Sequence, residues 1–167
     1  ISTRPLRDMV KENIFNIIEH SKLINFNIQK IKVLDLFAGY GSFGLECLSR
    51  DADEVIFVEN NLKSFELLKK NINFLSLSGR CKAIRSDARN FICSEMKKYD
   101  LIFLDPPYKE KKIVNEIILM IKKNKILKKN NLLILHRENE QDSLNENYDL
   151  IDKRRYGRSY IYFYRIN

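Results

Sequence analysis

Residues 31–44 read Ile31-Lys-Val-Leu-Asp35-Leu-Phe37-Ala38-Gly39-Tyr-Gly41-Ser-Phe-Gly44. A hydrophobic strand runs into G-x-G-x-x-G, and Leu45-Glu-Cys-Leu-Ser-Arg50 continues as a helix. Glycines at this spacing permit a tight turn and let the backbone approach a ligand closely. A lone glycine fingerprint is weak evidence, but here a strand precedes it and a helix follows. The next strand, Glu54-Val-Ile-Phe-Val58, ends at Glu59, 20 residues past Gly39. An acid there can bind ribose hydroxyls. Residues 31–59 therefore read as a nucleotide-binding βαβ unit.

Asp35 selects among nucleotide cofactors. An anion at the strand tip repels a pyrophosphate, whereas it suits the ammonium of a methionine moiety. The cofactor inferred is S-adenosylmethionine, with NAD as the alternative. Phe37, Ala38, Gly39, Gly41 and Gly44 would form its loop, and Glu59 with Asn60 would flank its ribose.

A second motif stands at residues 100–108, Asp100-Leu-Ile-Phe-Leu-Asp105-Pro106-Pro107-Tyr108. Proline has no N–H and a fixed φ, so it ends the strand ladder and stiffens the turn. The loop's carbonyls are then free to accept hydrogen bonds. Asp105 adds a second acceptor and Tyr108 a flat face. Two acceptors beside a stacking ring suit the exocyclic amino group of a nucleobase. The bland alternative is a stiff loop that merely closes a sheet.

Around these motifs, strands alternate with helices, which predicts a mostly parallel sheet with helical crossovers. Strands are expected at about 31–36, 54–58, 81–85, 100–104 and 131–136. Helices are expected at about 7–19, 42–50, 61–76, 88–97 and 110–123. Two closing strands, about 148–155 and 159–165, meet at Gly157. They must pair antiparallel, because a parallel crossover needs about a dozen residues. The expected fold is α/β and Rossmann-like: seven strands, mostly parallel, an antiparallel C-terminal hairpin, and helices on both faces. Asp35, Glu59, Asp87 and Asp105 stand at or just past the ends of successive strands, where ligands of such sheets sit. Asp87 is also a natural helix N-cap ahead of Ala88, and could still receive an adenine amino group.

The 167 residues favour one domain spanning 1–167. A chain of that size buries ~70% of its unfolded surface. Apolar content is 44% and charged content 31%, and no apolar run approaches the ~20 residues of a bilayer span. Cys47, Cys81 and Cys93 lack metal-ligand spacing and read as reduced, structural thiols of a cytoplasmic protein. Neither a metal nor a cysteine nucleophile is called for. His20 and His136, the only histidines, are expected to be structural.

A net charge of +8 favours a polyanionic partner, although the wealth of Lys, Asn and Ile also matches AT-biased coding. Position is more telling. Lys109, Lys111 and Lys112 follow the second motif, Arg4, Arg7 and Lys11 lie near the start, and Arg155 lies in a basic cluster near the end. Lys122, Lys123, Lys125, Lys128 and Lys129 read as a solvated helix end and loop.

These residues together resemble a class I S-adenosylmethionine-dependent methyltransferase. More narrowly, the chain is similar to the RsmD family, bacterial enzymes that methylate the N2 amine of a guanine in 16S ribosomal RNA. Arg4-Pro5-x-x-Asp8-x-Val10-x-Glu12-x-x-Phe15-Asn16 matches the family's opening segment. The 35–50 stretch matches its cofactor loop, Asp105-Pro106-Pro107-Tyr108 its catalytic loop, and Tyr156-Gly157 with Tyr162-Phe163-Tyr164-Arg165 its last strand. The resemblance implies a catalytic Asp105, Pro106, Pro107 and Tyr108, and an opening segment (residues 1–20) packed near the active site. It implies S-adenosylmethionine as methyl donor, S-adenosylhomocysteine as product, and 16S ribosomal RNA or the assembling small subunit as partner. A cytoplasmic monomer is expected. The Gly/Arg-rich hairpin that precedes the Arg-Pro segment in the family has no counterpart in the 167 residues. The Asp-Pro-Pro-Tyr motif is shared with adenine-N6 methyltransferases, which leaves a DNA or RNA adenine target as an alternative. DNA enzymes of that kind usually add a domain that reads the major groove, and the sheet with its helices accounts for the whole sequence here. A nucleic-acid-binding module without catalysis is the non-enzyme alternative, which the intact motif disfavours.

Overall fold

The computed structural model describes residues 8–107, 111–138 and 148–166, with the backbone alone at 111 and 112. Seven strands form one sheet: β1 (Lys32–Leu36), β2 (Glu54–Glu59), β3 (Cys81–Arg85), β4 (Tyr99–Leu104), β5 (Leu127–Arg137), β6 (Asp149–Tyr156) and β7 (Ser159–Arg165). The helices are α1 (Asp8–His20), α2 (Ser42–Ser49), α3 (Leu62–Phe74), α4 (Ala88–Ser94) and α5 (Lys111–Lys123). The sheet order is β3-β2-β1-β4-β5-β7-β6. The first five strands pair parallel, while β7 pairs antiparallel to both β5 and β6. The predicted α/β sheet with its antiparallel C-terminal hairpin is therefore observed.

Strand side chains alternate between two cores, as burial on both faces of a parallel sheet requires. Val33, Phe57, Leu101 and Phe103 pack with apolar residues of α1, α2 and α3. Leu34, Val58, Ile102 and Leu104 pack on the other face with α4 and α5. The apolar stripe of α1, Val10, Ile14, Phe15 and Ile18, is fully buried. Its Phe15 stacks on Phe43 of α2, which stacks on Phe103 of β4 at a 3.9 Å centroid distance. α1 is thus fixed to the layer that follows the glycine loop.

At two element boundaries the difference from the sequence reading is the most telling. α4 stops at Ser94 rather than about 97, because Glu95 turns extended. Its carboxylate accepts the Tyr99 hydroxyl at 3.0 Å and the Lys97 N–H at 2.7 Å. β5 starts at Leu127 rather than about 131, so Lys128 and Lys129 lie in a strand, not a loop. Lys128 pairs with Asp100 at 2.8 Å, and the register shifts nearby. The buried Asn131 amide anchors this stretch, donating to the Lys128 and Ile166 carbonyls and accepting the Ile166 N–H.

Sheet order reverses between β1 and β4. In sheets of this kind that point opens a crevice outside the carboxyl ends of the strands.

Candidate active site

Asp35 is the penultimate residue of β1, inside the strand rather than past its end. It is 1% exposed. Gly41, the N-cap of α2, has no side chain to satisfy the helix's free N–H groups. Asp35 does this from the preceding strand, its Oδ2 accepting the Gly44 N–H at 3.0 Å. Oδ1 is buried and has no hydrogen-bond partner among the described residues. Burial pushes the Asp35 carboxyl up to about 8; the Gly44 N–H opposes this, and the charges of Asp105 and Glu59 add to it. A buried carboxylate oxygen without a donor, beside two further acids, is an arrangement that a cation completes.

The loop after β1 takes left-handed backbone conformations at Phe37, Gly39 and Gly41, and only Phe37 bears a steric cost for it. Phe37 has φ 64°, in the left-handed region that side chains disfavour, and Gly39 and Gly41 have φ 57° and 85°. Ala38 donates to the Val58 carbonyl at 3.0 Å. Gly39 donates to Glu59 Oε2 at 2.7 Å, and Asn61 to Oε1 at 2.6 Å. Glu59, 7% exposed, thus joins the ends of β1 and β2, with Asn60 exposed beside it. Gly44 serves close approach: a Cβ there would lie 2.3 Å from Phe57 Cε1.

Asp87 caps α4, accepting the N–H groups of Arg89 and Asn90 at 2.9 and 3.4 Å. The Arg89 guanidinium holds its carboxyl below the usual range, against a smaller opposing effect of burial. Ala88 behind it is buried.

Asp105 and Pro106 follow β4 directly. The Asp105 Oδ1 lies 2.8 Å from His136 Nδ1, and the His136 Nε2 lies 3.0 Å from Ser159 Oγ. Arg137 Nη1 donates to the Pro106 carbonyl at 3.3 Å. Pro106 is buried and Pro107 exposed. Tyr108 and Lys109 lie outside the described residues, as do Arg4 and Arg7. His136, expected only to fill a strand end, instead touches the carboxylate of the motif. Arg137 and Ser159 were not singled out by the sequence. The available signal was positional, since His136-Arg137 follows Leu132-Leu-Ile-Leu135 as Asp105-Pro106 follows Leu101-Ile-Phe-Leu104.

The basic candidates divide. Lys11 is engaged within the fold, 3.5 Å from Asp8 and 3.9 Å from Glu46. Lys111 and Lys112 open α5 just after the motif. Arg155 is exposed on β6, its guanidinium 5.3 Å from the Tyr160 ring centre, with Lys153 over Tyr160 and Tyr162. Cys47 packs in α2, where burial pushes its thiol well up.

The topology and glycine loop are those of a class I methyltransferase. The solved structure named "Putative methyltransferase yhhF from Escherichia coli" matches with a TM-score of 0.83 and 28% identity, covering 98% of this chain and 87% of that one. The family described as conserved hypothetical protein 95 matches residues 1–165, and the chain belongs to it: this is the RsmD family. The ribosomal RNA small subunit methyltransferase D of Buchnera aphidicola subsp. Baizongia pistaciae is 36% identical over 141 residues, 84% of this chain and 68% of that protein. The enzyme of that name from Haemophilus influenzae is 32% identical over 158 residues, 92% of this chain and 78% of that one. Among the described residues no helix is long and apolar enough to cross a membrane.

Proposed function

We propose that the chain transfers a methyl group from S-adenosylmethionine to the exocyclic N2 amine of a guanine in 16S ribosomal RNA. The observation that carries the reading is the buried Oδ1 of Asp35, without a partner among the described residues and near the charges of Asp105 and Glu59 where sheet order reverses. Support for the RNA target comes from relatives named for small-subunit RNA methylation.

When bound, S-adenosylmethionine supplies an electrophilic methyl group on a sulfonium. Asp35 would receive its ammonium, and the 37–41 backbone would line the methionine and ribose. Glu59 would accept ribose hydroxyls with the lone pairs that Gly39 and Asn61 leave, and Asn60 would lie beside it. Asp87 and Ala88 would border the adenine, Asp87 accepting its amino group while still capping α4.

On the other side of the crevice, Asp105 and the Pro106 carbonyl would accept the two N–H bonds of the target amine. That fixes the nitrogen at attack distance and favours its pyramidal form, a positioning and electrostatic contribution. The Arg137 guanidinium leaves the Pro106 carbonyl a second lone pair for this task. Pro107 stiffens the turn and Tyr108 would stack on the base, which must first leave its loop or helix. Arg4, Arg7, Lys109, Lys111, Lys112 and Arg155 would meet RNA phosphates, and the chain would act as a cytoplasmic monomer on free RNA or the assembling subunit.

Mass spectrometry of nucleosides after incubation with S-adenosylmethionine and 16S RNA or small subunits tests this. N2-methylguanosine is expected. N6-methyladenine, in RNA or in duplex DNA, would replace the substrate and leave the cofactor reading standing.

A further inference from the structure

β4 and β5 run parallel with Leu104 opposite Leu135. One step further along the same register sets Asp105 beside His136, and a second step sets Pro106 beside Arg137. Both pairs bond, so the carboxyl end of β5 grips both acceptors of the catalytic loop. The grip is buried: His136 and Arg137 are each 4% exposed and Ser159 8%.

The chemistry of the partners sets the histidine's protons. An ionised carboxylate only accepts, so the His136 Nδ1 carries the hydrogen and donates to Asp105 Oδ1. In the neutral ring Nε2 then accepts from the Ser159 hydroxyl, which starts β7. The triad thus joins the loop after β4 to β5 and β7. With Oδ1 held, the carboxylate cannot swing about its last bond, and Oδ2 is the oxygen left to meet a ligand.

We propose that His136 is a positioning residue for methyl transfer. It clamps Asp105 Oδ1 so that Oδ2 and the Pro106 carbonyl face the target amine as a fixed pair, and Ser159 fixes the imidazole that does so. This role rests on the assignment of the target amine to Asp105. A histidine that merely fills the core would need neither a particular tautomer nor an effect on turnover.

Two measurements test it. His136→Leu, assayed with S-adenosylmethionine and 16S RNA, should lower kcat about 10- to 100-fold with little change in cofactor Kd. His136→Asn, whose amide nitrogen can take the place of Nδ1, should recover most of the loss. Wild-type kcat in His136→Leu, or no recovery in a folded His136→Asn, overturns the proposal. Independently of any variant's folding, two-bond proton–nitrogen correlation spectra of the wild-type protein should show His136 with the hydrogen on Nδ1. A neutral ring protonated on Nε2 overturns it as well. Asp105→Asn separates the two readings: if that variant keeps full activity, the amine is not on Asp105 and the assignment beneath falls, whereas a failed His136 result with inactive Asp105→Asn removes the positioning role alone.

Discussion

Gly39 donates its backbone N–H to Glu59 Oε2 at 2.7 Å, across 20 residues of sequence. The bond ties the loop after β1 to the end of β2, and Asn61 holds the other carboxylate oxygen from the α3 side. Glu59 is therefore a brace for the cofactor loop as well as an acceptor at its edge, and a substitution acts on both.

Replacing Glu59 with alanine should weaken S-adenosylmethionine binding by about 1.5–3 kcal/mol, the scale for lost hydrogen bonds to a charged group. Glu59→Gln keeps an acceptor for Gly39 and should lose less. Calorimetry on both variants checks the order. Unchanged affinity in Glu59→Ala would remove the residue from the cofactor site.

Asp35 gives a pH signature. Its folded carboxyl is raised from an ordinary 3.8 to about 8, mainly by burial. A raised folded value means the native state holds the proton more tightly than the unfolded chain. Its contribution to stability is fully present below pH ~4 and is lost as pH rises through about 8. Asp35→Asn, which cannot ionise, should therefore melt above the cofactor-free wild type at pH 8 and lose that advantage at pH 4. The ammonium of the cofactor should pull Asp35 to its ionised form, so binding at pH 7 releases a proton in the wild type and none in Asp35→Asn. A melting difference that is the same at pH 4 and pH 8 would contradict the assignment of the titration to Asp35.

Gly44→Ala should destabilise the protein by about 1–3 kcal/mol through overpacking. The new Cβ would meet Phe57 Cε1 at 2.3 Å and Val55 Cγ1 at 2.8 Å, and both residues are fully buried. Gly79→Ala is the control, with nothing within 4 Å of its Cβ. Differential scanning fluorimetry should show a fall of several degrees for the first and none for the second; equal melting points would mean that β2 yields freely.

Asp105→Asn should cut methyl transfer by about 10²–10³, the scale for losing one preorganised charge-stabilising group. Cofactor affinity should largely hold, because Asp105 would serve the target amine and not the methionine. Loss of binding and activity together would place Asp105 in the cofactor shell instead.

Sheet, crossovers and hairpin were legible because apolar runs, glycines and short connections constrain them locally. The places of Asp35 and Glu59 were legible for the same reason: Glu59 ends β2 and Asp35 stands one residue before the end of β1, each beside a recognisable loop. What stayed hidden was long-range. Nothing near His136 says that strand order carries it next to Asp105, 31 residues away, or that β7 returns Ser159 to its far side. Lys128 and Lys129 looked like loop because their polarity masked a pairing that Asn131 and Asp100 secure from elsewhere. The early end of α4 is a local choice, Glu95 turning extended and reaching Tyr99 four residues on, that apolar helix periodicity does not encode.

The basic residues should separate in their response to salt. Neutralising a phosphate contact lowers the log–log salt slope of RNA binding by ~0.7–0.9. Lys109, Lys111 and Lys112 follow the catalytic loop, so changing all three to alanine should reduce the slope by roughly 2–3. Arg155→Ala should remove about one contact, since its guanidinium is exposed beside Tyr160 at the edge of the sheet. Lys11→Ala should leave the slope unchanged, because Asp8 and Glu46 already neutralise that ammonium. Fluorescence anisotropy with a 16S RNA fragment from 50 to 200 mM salt reads all three. If the charge of +8 reflected coding bias alone, the triple variant would keep the wild-type slope.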